Sequence, residues 1–464
     1  MYRIWSNMMI MIRNININYL FLSFLIAFII DRIVNYFIDF PFFVAFGLVS
    51  LPVLLTQRSY SKQNKKWLLL LVIPFVIITL INNIIYGFHA KNISDLLFII
   101  LLFSFYLLYA SNKTALNPKL LHILAISFLV LFSFTLIGIN NIDPIFSNSN
   151  TDNYVGPPKE QNTEQTMPGK KVQKPTTSQK LKKTILTEKF LNSLANPELD
   201  YLEYSREYHR GLFRVPHVAS YFFGFLALFY FQFFWKRNKV WSYGALAVIA
   251  LIVFYTGTRI FPITIFIISS VWLALKPKRL PVLVAILMIL SLLIFFRDHL
   301  AWYTKDTFTH QYFTFFITAV DNLPRLSRII LWNSWLKEIS DFGILDILIG
   351  KTYYSSLQAN LQNVYIFEWF HNDFMSIFYS YGILCMILYV MFYIKIYRDN
   401  RTFIKSNYFV FVIYFSMPLM AFLNGFYYYF PMFIFFIFFL IVKIEQTNTV
   451  QNENRNIRDT GHSE

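Results

Sequence analysis

The sequence predicts an all-α polytopic membrane protein, with about twelve transmembrane helices and two long loops on one side of the bilayer. Three observations lead there. Hydrophobic residues fill 56% of the 464 positions and charged residues only 14%, with a mean hydropathy of +0.48. Several apolar runs reach the roughly twenty residues that a helix needs to cross about 30 Å of hydrocarbon. The short loops between them alternate between basic and basic-poor, the bias that sets orientation. Segments inside hydrocarbon have to be helical, because lipid offers the backbone no hydrogen-bond partner.

The first apolar run, 19–30, follows a segment carrying Arg3 and Arg13. No small-residue cleavage site follows it, so it reads as an uncleaved first helix. Asp31 and Arg32 form a tight loop before a second span, 33–55, interrupted by Asp39 and Pro41. Arg58, Lys62, Lys65 and Lys66 make a basic loop. Spans three and four cover 67–86 and 96–110, joined by a short loop with His89, Lys91 and Asp95. Lys113 and Lys119 precede a fifth span, 120–137. Residues 1–139 thus form an N-terminal membrane unit.

At 140–214 the composition turns polar, with Pro157, Pro158, Pro168 and Pro175 among Lys, Gln, Asn and Thr. Its stretch 147–183 has no periodicity and reads as disordered loop. A central membrane unit, 215–296, carries spans at 215–235, 241–255, 260–275 and 280–296. Lys236, Arg237, Lys239, Lys276, Lys278 and Arg279 lie between them. A second long loop, 297–372, contains Leu326, Ile329, Ile330, Leu336 and Ile339 at helical spacing beside Trp332 and Trp335, an amphipathic interfacial helix. The C-terminal unit, 373–443, has spans at 374–394, 408–423 and 430–442, with Lys395, Arg398, Arg401 and Lys405 in the loop after the first. The tail 444–464 is polar and reads as disordered. With the N-terminus in the cytoplasm, every short basic loop falls inside and both long loops fall outside. No internal repeat of the transporter kind is visible.

The net charge of +16 would suggest nucleic acid in a soluble protein. Here Lys and Arg sit in short loops between spans, where they set topology, and no nucleic-acid partner is expected. Cys385 is the only cysteine, which excludes an internal disulfide and a thiolate cluster. The chain has no HExxH, no paired Asp-x-Asp and no Gly-rich phosphate loop, so metal and nucleotide chemistry lack their usual residues. No metal and no cofactor are expected.

What remains is a set of Arg and His residues at the outer boundary. Arg210 and Arg214 lead into the span at 215. Arg259 ends the turn Thr256-Gly257-Thr258-Arg259. Arg325 and Arg328 open the amphipathic segment, and His371, Asn372 and Asp373 lead into the span at 374. Any single Arg near a span end snorkels or pairs with a headgroup. Several together bind phosphate oxygens bidentately and stay charged. A His beside them can take a proton from a hydroxyl. Tyr427, Tyr428 and Tyr429 read as an interfacial aromatic belt, and His122 and Cys385 as packing.

Three patterns and a looser fourth carry a resemblance. His371-Asn372 is followed after nine residues by Gly382. Arg210-Gly211-x-Phe213-x-x-Pro216 enters a span. The turn ending at Arg259 has small neighbours, and the spacing of Arg328, Trp332 and Gly350 fits a looser pattern. In these features the chain resembles the O-antigen ligase and O-antigen polymerase superfamily of bacterial inner-membrane glycosyltransferases. It departs at Cys385, where that family often has Gly, Thr or Tyr.

The resemblance implies metal-independent, inverting transfer of a glycan from an undecaprenyl-pyrophosphate-linked oligosaccharide to a sugar hydroxyl on the periplasmic face of the inner membrane. It implies catalytic roles for His371, Arg259 and Arg328. It implies substrate binding by Arg210, Arg214, Arg325, Asn372 and Asp373. The divergent motif favours a polymerase for O-antigen or capsule; a ligase transferring the glycan to lipid A core is the alternative within the family. A polysaccharide flippase is the alternative of another class. Membrane lipid is a partner in every reading. The residues do not decide whether the lysine-rich loop contacts a chain-length regulator.

Overall fold

Lipid-facing stripes and one fully enclosed helix organise the chain. The computed structural model describes residues 17–37, 42–112, 260–296, 327–363, 370–406 and 408–427, with scattered positions in 220–247 and at 299. Among the described residues every regular element is helical. In chain order they are α1 (Ile17–Phe37), α2 (Phe42–Leu55), α3 (Lys62–Tyr86), α4 (Ala90–Asn112), α5 (Ile260–Ala274), α6 (Leu280–Phe295), α7 (Ser327–Ser340), α8 (Ile344–Ile349), α9 (Tyr353–Asn363), α10 (Asp373–Ser406) and α11 (Tyr408–Leu423). Three stretches, Lys62–Tyr86, Ala90–Ser111 and Asp373–Lys405, are long and apolar enough to cross a membrane.

α4 is the hub. All ten residues from Ile99 to Leu108 are buried, so this helix has no outer face. A helix apolar all round suits such a central place. α3 packs along it and is stitched to it by polar side chains. Asn64 Nδ2 donates to Leu107 O at 3.3 Å and to Ser111 Oγ at 3.0 Å. On its other side α3 exposes Leu69, Leu70, Ile73, Ile77, Leu80 and Ile84, a stripe at helical spacing. α6 does the same with Leu280, Val284, Leu287, Met288 and Leu292. Uncovered apolar stripes of this kind suit hydrocarbon rather than water.

Several boundaries differ from the sequence expectation, each for a physical reason. Asp31 and Arg32 do not form a loop; α1 runs through them to Phe37. The Asp31 carboxylate is buried and accepts the Phe43 amide at 2.7 Å, capping the start of α2. Lys91 and Asp95 are not in a loop either, because α4 begins at Ala90. Lys395 and Arg398 extend α10 past the expected span end at 394, and Asn400, with φ −122° and ψ 15°, interrupts it before Arg401 and Lys405 in the last stretch to Ser406. Lys395 is buried, pairs with Asp399 at 2.9 Å and lies 5.5 Å from the Trp67 ring. Helices stand where the amphipathic segment and the apolar run at 408–423 were expected, as α7 and α11, the latter apolar but shorter than the three stretches of spanning length. The expected spans at 120–137 and 430–442, nearly all of those at 215–235 and 241–255, and both the lysine-rich loop and the tail lie outside the described residues.

The largest departure is inside α10. Gly382 has φ 75° and ψ −177°, which no helix contains. In a straight helix residues 373 and 389 would stand about 24 Å apart. Yet Tyr389 Oη donates to Asp373 Oδ2 at 2.8 Å, and the Phe374 ring packs on Tyr389 and Tyr393 at 5.7 and 6.4 Å. The two halves therefore fold toward each other at Gly382, as α10a (373–381) and α10b (383–406). α10b runs without interruption to Asp399, about 26 Å, before Asn400 leaves helical geometry at φ −122° and ψ 15°.

Candidate functional site

Two helix ends meet at His371. One is the start of α10a. His371 has φ 51°, a left-handed conformation that histidine adopts more readily than most side chains. That turn sets Asn372 as the cap of the helix. Its Oδ1 accepts the Met375 amide at 3.1 Å and its carbonyl accepts Ser376 N at 3.0 Å. The other end is that of α11. The Asn424 amide donates to Met420 O at 2.9 Å. Gly425 then takes φ 78°, the left-handed residue that closes many helices.

The chain beyond Gly425 presents consecutive amides to one carboxylate. Phe426 N donates to Asp373 Oδ1 and Oδ2 at 2.8 and 2.7 Å, and Tyr427 N to Oδ2 at 3.0 Å. With the Tyr389 hydroxyl, Asp373 is fully enclosed in donors. Successive amides form the kind of concavity that holds anions, and an acid in the first turn also suits the dipole of α10a. This clamp brings Asn424 to the imidazole: His371 Nδ1 and Asn424 Oδ1 are 3.2 Å apart. The His371 side chain is partly exposed, whereas Asn372, Asp373 and Asn424 are buried to within 1%.

The second loop reaches the same place. On α7, the Trp332 ring packs against Phe422 near the end of α11, at 5.2 Å between centroids. One turn on, Trp335 Nε1 donates to Met375 O in the first turn of α10a at 3.1 Å. α7 thus lies on both helix ends that frame His371. Arg328 is on its first turn, one turn before Trp332.

A second feature fixes the far end of α10a. The segment joining α8 to α9 crosses it backbone to backbone. Lys351 N donates to Tyr379 O at 2.8 Å. Asn82 Nδ2, from α3, bridges Ile349 O and Ser380 O at 2.9 and 3.0 Å. These bonds take up carbonyls that the break at Gly382 leaves without a helical partner. A Cβ on Gly382 would lie 2.2 Å from Leu348 O, and one on Gly350 2.5 Å from Tyr381 N. The two glycines of the sequence patterns therefore form one crossing. Beside it, Asp95 is buried on α4 and accepts the Tyr381 hydroxyl at 2.5 Å. The Tyr427 phenol lies next to the same carboxylate.

No protein-family model, curated protein or solved structure matches this chain.

Of the residues singled out in the sequence, His371, Asn372 and Asp373 come together at this knot. Asn372 and Asp373 are buried, and their hydrogen bonds described above run within the protein. Tyr427 is a correction: it is fully buried against Asp373 and Asp95, not part of an exposed aromatic belt. Arg210, Arg214, Arg259 and Arg325 lie outside the described residues, as does the side chain of Arg328. Asn424, Asp95 and Tyr389 were not singled out for chemistry. An acid, Asp95, at the edge of an apolar run was the one available signal. Nothing local marks Asn424, which is 53 residues from its partner.

Proposed function

We propose that this chain is a polysaccharide polymerase of the bacterial inner membrane. It transfers glycan from an undecaprenyl-pyrophosphate-linked donor to a hydroxyl of a second lipid-linked repeat unit on the periplasmic face. The observation that carries the proposal is the docking of α7, the helix of Arg328, onto the two helix ends that hold His371. A partly exposed imidazole with one nitrogen already engaged can receive a proton on the other. A guanidinium one helical turn from Trp332 supplies the opposite charge that a pyrophosphate needs.

In the proposed reaction the acceptor oxygen attacks the anomeric carbon. Its proton passes to His371 Nε2. The bond from that carbon to the pyrophosphate oxygen breaks, and the lipid pyrophosphate leaves with the electron pair. A single displacement inverts the anomeric centre. Arg328 and Arg259 stabilise charge growing on the leaving oxygen. Arg210, Arg214 and Arg325 hold the pyrophosphate. The topology that goes with this has about twelve spans, both termini cytoplasmic and the site outside.

The test uses purified full-length protein and lipid-linked repeat units. Wild type should lengthen them, and His371→Ala should not. Unchanged chain-length distribution in His371→Ala would remove the imidazole from the mechanism. A transport reading draws on one observation, the helix break at Gly382, since broken helices line transporter sites. It predicts translocation of the lipid-linked unit across a vesicle membrane with no lengthening.

A further inference from the structure

We propose that Asn424 is a positioning residue for His371: its side-chain oxygen accepts the Nδ1 proton and so leaves Nε2 as the atom that takes a proton from the acceptor. The chemistry rests on the glycosyl-transfer reading above; the contact does not.

The contact is built from both sides. Asn424 is 1% exposed and its backbone amide is fixed to Met420 O. The next residue, Gly425, turns the chain, and the two after it are clamped by Asp373. Asp373 itself belongs to α10a, two residues beyond His371. One carboxylate thus ties together the two segments that carry the amide and the imidazole. The His371 backbone is held in a left-handed turn by the Asn372 cap, so neither partner is on a free loop. Among the described residues, α10a and α11 lie around the ring, and α7 docks on both. The charged groups they bring are Asp373, whose oxygens are occupied by Phe426, Tyr427 and Tyr389, and, on α7, Arg328 in the first turn with Lys337 and Glu338 toward its other end, where Glu338 accepts the Tyr379 hydroxyl at 3.5 Å.

A general base has to keep one tautomer. The nitrogen that carries the proton is selected by the hydrogen bond the ring makes on that side. A carbonyl oxygen 3.2 Å from Nδ1 selects Nδ1–H. The reversed amide would select Nε2–H and leave no base facing the acceptor. Asn424→Asp separates the two, because a carboxylate can only accept.

The experiment measures pH profiles of chain lengthening for wild type, Asn424→Leu, Asn424→Asp and His371→Ala, in full-length protein with lipid-linked repeat units. Asn424→Leu should lower kcat about tenfold to a hundredfold, the usual cost of losing the group that orients a histidine, with KM for the acceptor unchanged. Asn424→Asp should retain wild-type kcat on the alkaline side. Its acid limb should move to higher pH, because the carboxylate favours the imidazolium. If Asn424→Asp is as impaired as Asn424→Leu across the profile, or if Asn424→Leu keeps wild-type kcat, the proposal is wrong.

Labelling of His371 by diethyl pyrocarbonate, read on its peptide by mass spectrometry, gives a second measurement that needs no turnover. The pH midpoint of labelling should rise in Asn424→Asp relative to wild type; an unmoved midpoint overturns the contact. An active His371→Ala would sink the polymerase reading, and the labelling would then decide Asn424 by itself. Should the Leu variant not fold, the Asp variant carries both arms.

Discussion

The two ends of α10a are held in opposite ways. At Gly382 the chain crosses the segment around Gly350 with no side chain between the backbones. At His371 the helix start is tied to the end of α11 by side chains reaching backbone amides. The first end depends on the absence of atoms, so an added methyl group has nowhere to go. The second depends on directed hydrogen bonds, so an isosteric change can remove one bond and keep the shape. The first end is therefore a structural fixture, and the second is where structure and chemistry can be separated by mutation.

Gly382→Ala should have the largest effect. The new Cβ would stand 2.2 Å from Leu348 O, on a residue with φ 75°. Overlap with backbone cannot be relieved by a rotamer change, and the positive-φ, extended-ψ conformation that almost only glycine adopts adds about 1–3 kcal/mol. The expected result is loss of monodisperse protein in fluorescence-detected size-exclusion chromatography. A well-behaved Gly382→Ala would mean that the crossing opens cheaply, and the contrast between the two ends would disappear.

Asp373→Asn comes next. The side chain keeps its size, but one oxygen becomes an NH2 facing donors. Burying mismatched donors costs about 1–3 kcal/mol per group. Protein should still be produced, with a clearly lowered thermal midpoint and weakened chain lengthening. Equal stability to wild type would show that the amides of Phe426 and Tyr427 find other acceptors.

Asn82→Ala tests the crossing without adding bulk. It frees the carbonyls of Ile349 and Ser380, and each lost bond is worth about 1 kcal/mol when the acceptor can find water, more when it cannot. The fall in thermal midpoint should match or trail that of Asp373→Asn, and KM for the acceptor should not move. Tyr389→Phe is the mildest. It removes one hydroxyl from Asp373 and from Tyr393, about 0.5–1.5 kcal/mol, and leaves both backbone amides on the carboxylate. Activity should persist, with only a small change in melting.

Much of the helical layout was legible. Apolar runs mark α3, α4, α5, α6, α10b and α11, and helical spacing of apolar residues marks α7. The boundaries were less legible wherever a polar residue had a partner inside the fold. Asp31 and Asp95 looked like loop residues because carboxylates avoid lipid. One caps α2 and the other binds Tyr381, so both stay in helices. Lys395 stays helical because Asp399 and the Trp67 ring receive its charge. For the site, His371 was visible as a titratable group at the entrance of an apolar run. Its neighbours Asn372 and Asp373 were visible as polar residues but not as scaffold. Their partners are capping amides and a turn 53 and 54 residues away.

The sequence alone determined that this chain is helical and membrane-associated, because hydropathy over a window is additive and needs no partner. It also marked the spacing from His371 to Gly382, though not its meaning. Only the tertiary structure decided that Gly382 bends a helix back on itself. Only the structure brought Asn424 to the imidazole and laid α7 over both. Such choices depend on which distant groups are free to fill a hydrogen bond or a gap, and that becomes known only when the segments meet.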